Sequence, residues 1–237
     1  MSETKGEMPN ARLIEARSLS PEIKHFFFEV PEVDQLPFEA GQFVSFTESI
    51  RGKQVTRAYS IASAPGGNRF ELCLNVVPEG YFSPYLFTME PGAEVPMQGP
   101  LGTFVLRPPV RETIMVATGT GISPFRGMLA EGLAKHPEQR FKLIFGARHG
   151  HGLVFADEFR AWEREYGNFR FVPTLTRPDA DWLGHTTRVQ PLVLEAVGER
   201  RDLDIYVCGL KAMVDDVRAI LKARGFDRKQ IISEKYD

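Results

Sequence analysis

Residues 114–129 read IMVATGTGISPFRGML, an apolar run that halts at Gly119-Thr120-Gly121 and resumes after Ser123-Pro124 with helical spacing. A short unbroken apolar run suits a strand buried on both faces, and the glycines mark a tight turn at its carboxyl end. Ser123 is a good N-cap and Pro124 suits the first helical position, so a helix is expected to open there. Such a turn offers free N–H groups and a positive helix end to a phosphate, although glycine also serves tight strand-to-helix turns for geometry alone. The same rhythm continues downstream: FKLIFGA with FADEFRAWEREYG, FRFVPTL with VQPLVLEAV, LDIYVCG with LKAMVDDVRAILKARG, and a last strand QIISEKY. Strands alternating with amphipathic helices predict a parallel sheet covered on both faces, whose ligands bind at the carboxyl ends of the strands.

Upstream the pattern differs. The segments RLIEARSL, KHFFFEV, QFVSFT, TRAYSIAS, RFELCLNVV, AEVPMQG and TFVLR are short, rich in β-branched and aromatic residues, and separated by Pro/Gly punctuation, with one helical candidate, SPYLFTME. That is an all-β pattern of barrel size. The change falls at Arg107-Pro108-Pro109-Val110, a proline-stiffened linker, which divides the chain into a β domain over 10–107 and an α/β domain over 110–237. A chain of 237 residues divides naturally into two such units, each able to bury its own core.

Composition narrows the partners. A net charge of -2 argues against nucleic acid as the main partner. Two cysteines, Cys73 and Cys208, are too few for a four-thiolate cluster or a disulfide scaffold, and His149 and His151 in RHGHG lack matching ligands, so no metal is expected. The first ten residues, MSETKGEMPN, are polar with no apolar stretch after them, and no later run approaches a membrane span. The expectation is a cytoplasmic protein with a loose start.

Residues 56–65, TRAYSIASAP, crowd one arginine, one tyrosine and two serines beside an apolar strand pattern that ends at Pro65-Gly66-Gly67. Alone, this is an ordinary edge strand. Read with VPEGYFSPYL at 77–86, GPLGTF at 99–104, GTGISP at 119–124 and CGLKAM at 208–213, in this order, the chain resembles the ferredoxin–NADP reductase superfamily over nearly its whole length, most closely its bacterial ferredoxin/flavodoxin–NADP reductases. The resemblance implies a Greek-key antiparallel β-barrel that holds FAD, followed by a Rossmann-like parallel α/β sheet that holds NADP(H), with NAD(H) less favoured.

It also implies roles. Arg57 binds a flavin phosphate, Tyr59 lies against the isoalloxazine, and Ser60 hydrogen-bonds near its reactive N5 edge, with Ala58, Asn75, Val76, Tyr81, Phe82 and Thr120 completing the FAD site. Gly80 and Ser83 match the segment whose helix start receives the pyrophosphate. On the nucleotide side stand Gly119, Thr120, Gly121, Pro124, Arg148, Thr176, Arg177, Arg188, Cys208, Gly209 and Met213. Ser60, Cys208, Glu234 and Tyr236 form the catalytic set, and Tyr236 covers the flavin face opposite Tyr59 until nicotinamide displaces it. Bacterial relatives often end in a further aromatic residue, where this chain has Asp237. Each motif also has a plainer reading: Cys208 as a small buried hydrophobe, the arginines as solvated loops, Gly80 and Ser83 as a generic helix start. The implied reaction is hydride transfer from nicotinamide to flavin N5, then one-electron delivery to a separate ferredoxin or flavodoxin by a monomeric enzyme. A flavin reductase, or a reductase subunit of a larger complex, are the alternatives in the same fold.

Overall fold

The computed structural model describes residues 8–236; residues 1–7 of the polar start, and Asp237, lie outside them. Six strands form an antiparallel sheet: β1 (Asn10–Ser20), β2 (Ile23–Glu29), β3 (Phe43–Ile50), β4 (Lys53–Ser60), β5 (Arg69–Asn75) and β6 (Glu94–Leu101). Their spatial order, β4-β3-β6-β1-β2-β5, is that of a Greek-key barrel. Just past β4, an Ile61–Leu72 bridge and a 2.7 Å bond from Ala62 N–H to the Glu71 carbonyl draw the two outer strands together. Alternate residues fill the barrel, with Phe26, Phe28, Phe46, Phe70 and Phe82 fully buried in one cluster. Helix α1 (Phe82–Phe87) contributes Phe82 and Leu86 to that core and so fixes the loop before it.

The second domain follows the alternation expected: β7 (Thr113–Thr118), α2 (Ser123–Lys135), β8 (Phe141–Ala147), α3 (Ala156–Glu165), β9 (Phe169–Leu175), α4 (Val189–Val197), β10 (Asp204–Leu210), α5 (Lys211–Ala223) and β11 (Ile231–Tyr236). All pairings are parallel, in the order β11-β10-β7-β8-β9. The chain enters at the centre, runs outward through β8 and β9, and returns to the other side of β7 at β10. The β7–β10 seam is therefore the switch point where open α/β sheets bind ligands. The GTG turn after β7 and the CGL end of β10 meet there.

Three local expectations change. TFVLR forms no strand: Tyr206 on β10 accepts the Arg107 N–H at 2.9 Å and donates to the Val105 carbonyl at 3.2 Å, so one phenol from the other domain satisfies the backbone that a ladder would have. The TRAYSIAS strand stops at Ser60, three residues early. Ser123 and Ser83 are not N-caps. A 3-10 turn over Gly119–Ile122 precedes α2, and the Ser123 hydroxyl donates to the Thr120 and Cys73 carbonyls, the latter in the barrel. Ser83 lies inside α1 and accepts the Val77 N–H at 2.9 Å, which closes the VPEGY loop.

Candidate active site

The carboxyl ends of the parallel strands face the barrel across one continuous cleft of about 1530 Å³. Its barrel wall carries Arg57, Ala58, Tyr59, Ser60, Asn75, Gly80, Tyr81, Phe82 and Ser83. Its sheet wall carries Gly119, Thr120, Arg148, Thr176, Arg177, Arg188, Gly209, Met213, Glu234 and Tyr236. Val76, Gly121, Pro124 and Cys208 are not among its lining residues. Gly121 is glycine for packing: a Cβ there would meet the Cys208 carbonyl oxygen at 2.5 Å.

The barrel half is shaped for a flat ring beside an anion. Tyr59 is braced from behind by Phe46 and Phe82, with ring centroids at 5.9 and 6.1 Å, so its outer face is held still. Burial pushes its phenol well above the usual value, which keeps it neutral. Exposed Arg57 lies two residues away along β4, on the same pleat face.

The sheet half concentrates cations. Past their strands, β8 and β9 stay tied: Thr176 N–H donates to the Ala147 carbonyl at 3.1 Å and Arg177 N–H to the Arg148 carbonyl at 2.8 Å. The two exposed arginines therefore sit side by side, and Arg188 joins the same wall as the N-cap of α4. Guanidinium groups gathered in this way suit a phosphate monoester. Gly209, at φ 139°, marks the seam: a Cβ there would lie 2.5 Å from Thr118 Oγ1.

Where the halves meet, a hydrogen-bond chain crosses between domains. Tyr236 donates its hydroxyl to Ser60 Oγ at 2.6 Å, and Ser60 donates to Glu234 Oε1 at 2.8 Å. Burial raises the Glu234 pKa, against the opposing effect of the Ser60 hydrogen bond. Strand register sets Glu234 beside Cys208 on β10. Burial, with Glu234 adding to it, lifts the Cys208 thiol well above its usual value, and burial does the same to the Tyr236 phenol. Burial thus shifts all three groups toward their neutral forms.

The sequence reading missed several wall residues. Thr118 Oγ1 and Gln190 Oε1 are buried on the cleft with no hydrogen-bond partner among the described residues, as a wall built for a polar ligand leaves them. Asp216 also lines it, as do His149 and His151, which stack on each other at 5.5 Å. Thr118 had a legible signal, its place at the end of β7 before GTG.

The chain matches two family models, the oxidoreductase FAD-binding domain over residues 10–106 and the oxidoreductase NAD-binding domain over 115–219. It is 37% identical over 236 residues to ferredoxin–NADP reductase B of Sorangium cellulosum, covering 96% of this chain and 97% of that one. The chain belongs to the ferredoxin–NADP reductase family. It is also 31% identical to the toluate 1,2-dioxygenase electron transfer component of Pseudomonas putida, of which it spans 67%. A ferredoxin NADP⁺ reductase from Neisseria gonorrhoeae with bound FAD and NADP shares the fold, at TM-score 0.84 over 98% of this chain and 99% of that one, with 23% identity. As a member of this family the protein is a flavoenzyme that binds FAD and a nicotinamide dinucleotide and moves electrons between the dinucleotide and a carrier. No helix among its described residues is long and apolar enough to cross a membrane.

Proposed function

We propose that the barrel, residues 10–107, holds FAD, that the α/β domain, residues 110–237, holds NADP(H) in preference to NAD(H), and that the electron carrier is a ferredoxin or flavodoxin. The observation that carries this reading is the single cleft, with a braced aromatic face at one end, three arginines at the other, and the Tyr236–Ser60–Glu234 chain between. Bound FAD supplies the exchange between two-electron and one-electron chemistry.

The chain's own residues do the rest. Tyr59 supports one face of the isoalloxazine and Arg57 grips a phosphate through paired donors. The loop closed by Ser83, with Gly80 in it, borders the pyrophosphate. Ser60 is fixed as a donor to Glu234, so its oxygen can accept from Tyr236 and orient a ring edge placed beside it. Glu234, with its raised pKa, holds a proton more readily than an exposed carboxyl. Tyr236 occupies the approach to Ser60 and must move for nicotinamide to reach the same place. Arg148, Arg177 and Arg188 read the 2′-phosphate.

The test begins with the flavin: purified protein should carry about one FAD per chain, released on denaturation. Arg177→Ala should then weaken NADPH binding roughly 10- to 150-fold, the equivalent of about 1.5 to 3 kcal/mol for a charge-assisted contact, and leave NADH nearly unchanged. Equal losses for both nucleotides would remove Arg177 from phosphate recognition. Colourless protein that takes up no FAD would overturn the whole reading.

A further inference from the structure

Gln190 is the second residue of α4, two positions after Arg188, and its side chain lines the cleft. Its Nε2 donates to Asp216 Oδ2 on α5 at 3.2 Å, while its Oε1 is buried without a partner among the described residues. The donation fixes the sense of the amide. Turned over, the amide would set Oε1 against a carboxylate oxygen, two acceptors in contact. Asp216 therefore holds Gln190 with its carbonyl facing inward as a committed acceptor, and a buried carbonyl of this kind calls for an N–H or O–H.

A dinucleotide offers few such donors. Its phosphates only accept at neutral pH; its donors are the ribose hydroxyls, the adenine amine and the carboxamide of nicotinamide. Position narrows the choice. Val189, the neighbour of Gln190, packs close against Gly146 of β8, and Arg188 stands with Arg148 and Arg177 in the cation cluster. The Ser60–Glu234–Tyr236 chain lies instead at β11, on the other side of β10. We propose that Gln190, oriented by Asp216, accepts a hydrogen bond from the adenosine half of the bound dinucleotide, from either the adenine amine or a ribose hydroxyl. The assignment rests on the proposed NADP(H) site and adds a contact to it that is independent of phosphate charge. Gln190 and Asp216 would thus recognise the nucleoside while the arginines select the phosphorylated form.

Calorimetric titration of FAD-loaded protein with adenosine 2′,5′-bisphosphate tests this. Gln190→Leu should bind it about 5- to 10-fold more weakly than wild type, with FAD content and thermal melting unchanged, the size expected for one hydrogen bond. The inosine counterpart lacks the amine, and the 3′-deoxy counterpart lacks the hydroxyl. Whichever lacks the donor should bind wild type and Gln190→Leu alike, while the other still distinguishes them. Asp216→Ala, which frees the amide to turn, should show the same pattern with a smaller loss and serves if the leucine variant folds poorly. Equal binding of the bisphosphate by wild type and Gln190→Leu overturns the assignment, as does the same loss on every analogue. So does a loss seen with full NADP⁺ but absent with its 3-acetylpyridine analogue, which would move the contact to nicotinamide. If wild type fails to bind the bisphosphate at all, the NADP(H) reading fails first, which separates the two failures.

Discussion

Two polar clusters cross from the barrel to the α/β domain, and they are built in opposite ways. In one, Glu71 on β5 accepts from Arg126 on α2 at 2.6 Å and meets His25 Nε2 at 2.7 Å, while Arg126 forks onto Glu158 of α3 at 2.6 and 3.0 Å and onto the Ala62 carbonyl at 2.8 Å. Phe155 closes the cluster, with the Arg126 guanidinium 4.7 Å from its ring centroid. Burial acts to raise the Glu71 pKa, but the hydrogen bonds and charges of His25 and Arg126 outweigh it and hold the carboxyl below its usual value. In the other, Glu234 is answered by the Ser60 hydroxyl, and burial carries its pKa upward. A paired carboxylate clamps the domains together; a carboxyl left with hydroxyl and thiol neighbours is shifted toward its neutral form. Helix α2 belongs to the clamp in detail, since a Cβ on Gly127 would meet the Ser63 carbonyl oxygen at 2.6 Å.

The largest effect is expected at the clamp. Arg126→Leu leaves Glu71 and Glu158 facing each other's surroundings without their shared cation, and should cost about 2 to 4 kcal/mol in urea unfolding of the FAD-loaded protein, with partial exposure of both acids moderating the buried-pair value. A loss below about 0.5 kcal/mol would mean that the clamp contributes little.

A smaller effect should appear at the second cluster. Tyr236→Ser removes the hydroxyl that donates to Ser60 and, on the proposed reading, the ring that nicotinamide displaces. NADP⁺ should bind up to roughly tenfold more tightly, about 1.4 kcal/mol, as followed by the flavin spectrum. Unchanged affinity, together with lost flavin and stability, would show that Tyr236 only anchors β11.

The smallest effects concern pH, and here the clusters should move in opposite senses. Glu71, held below its unfolded value, contributes stability that is present above that value and lost as pH falls through the folded one. Glu234, held above its unfolded value, contributes stability that is present in acid and lost as pH rises through the folded one. Glu71→Gln should therefore be less stable than wild type at pH 7 and lose less on acidification. Glu234→Gln should equal wild type or exceed it at pH 7 by about 1 kcal/mol or less. Unfolding curves at pH 4, 5, 6 and 7 would show both, and parallel curves for the two variants would erase the contrast.

The sequence revealed what its local pattern controls. FKLIFGA, FRFVPTL and VQPLVLEAV coincide with β8, β9 and α4 to the residue, because each is a largely apolar run with sharp polar or glycine borders. TFVLR carries the same alternation as a strand, and only Tyr206, about a hundred residues downstream, explains why it is not one. The cleft wall was legible where a residue directly follows a strand, as Gly119, Arg148 and Thr176 do, or stands next to its last residue, as Gly209 does, or belongs to RAYS. It was illegible where packing of separate elements makes the site: Gln190 and Asp216 lie on different helices, and His25, Glu71 and Arg126 on three elements in two domains.

On the proposed reading, electrons enter at the Ser60 end of a cleft shared by FAD and NADPH. Anaerobic rapid mixing of FAD-loaded protein with NADPH, followed by loss of flavin absorbance, tests it most directly in wild type and Ser60→Ala. Wild type should be fully reduced in a single fast phase, and Ser60→Ala at a rate roughly 10- to 100-fold lower, the cost of a misplaced reacting centre, when the two are compared at equal FAD loading. Equal rates in the two proteins, or a wild-type flavin that NADPH leaves oxidised, would contradict it.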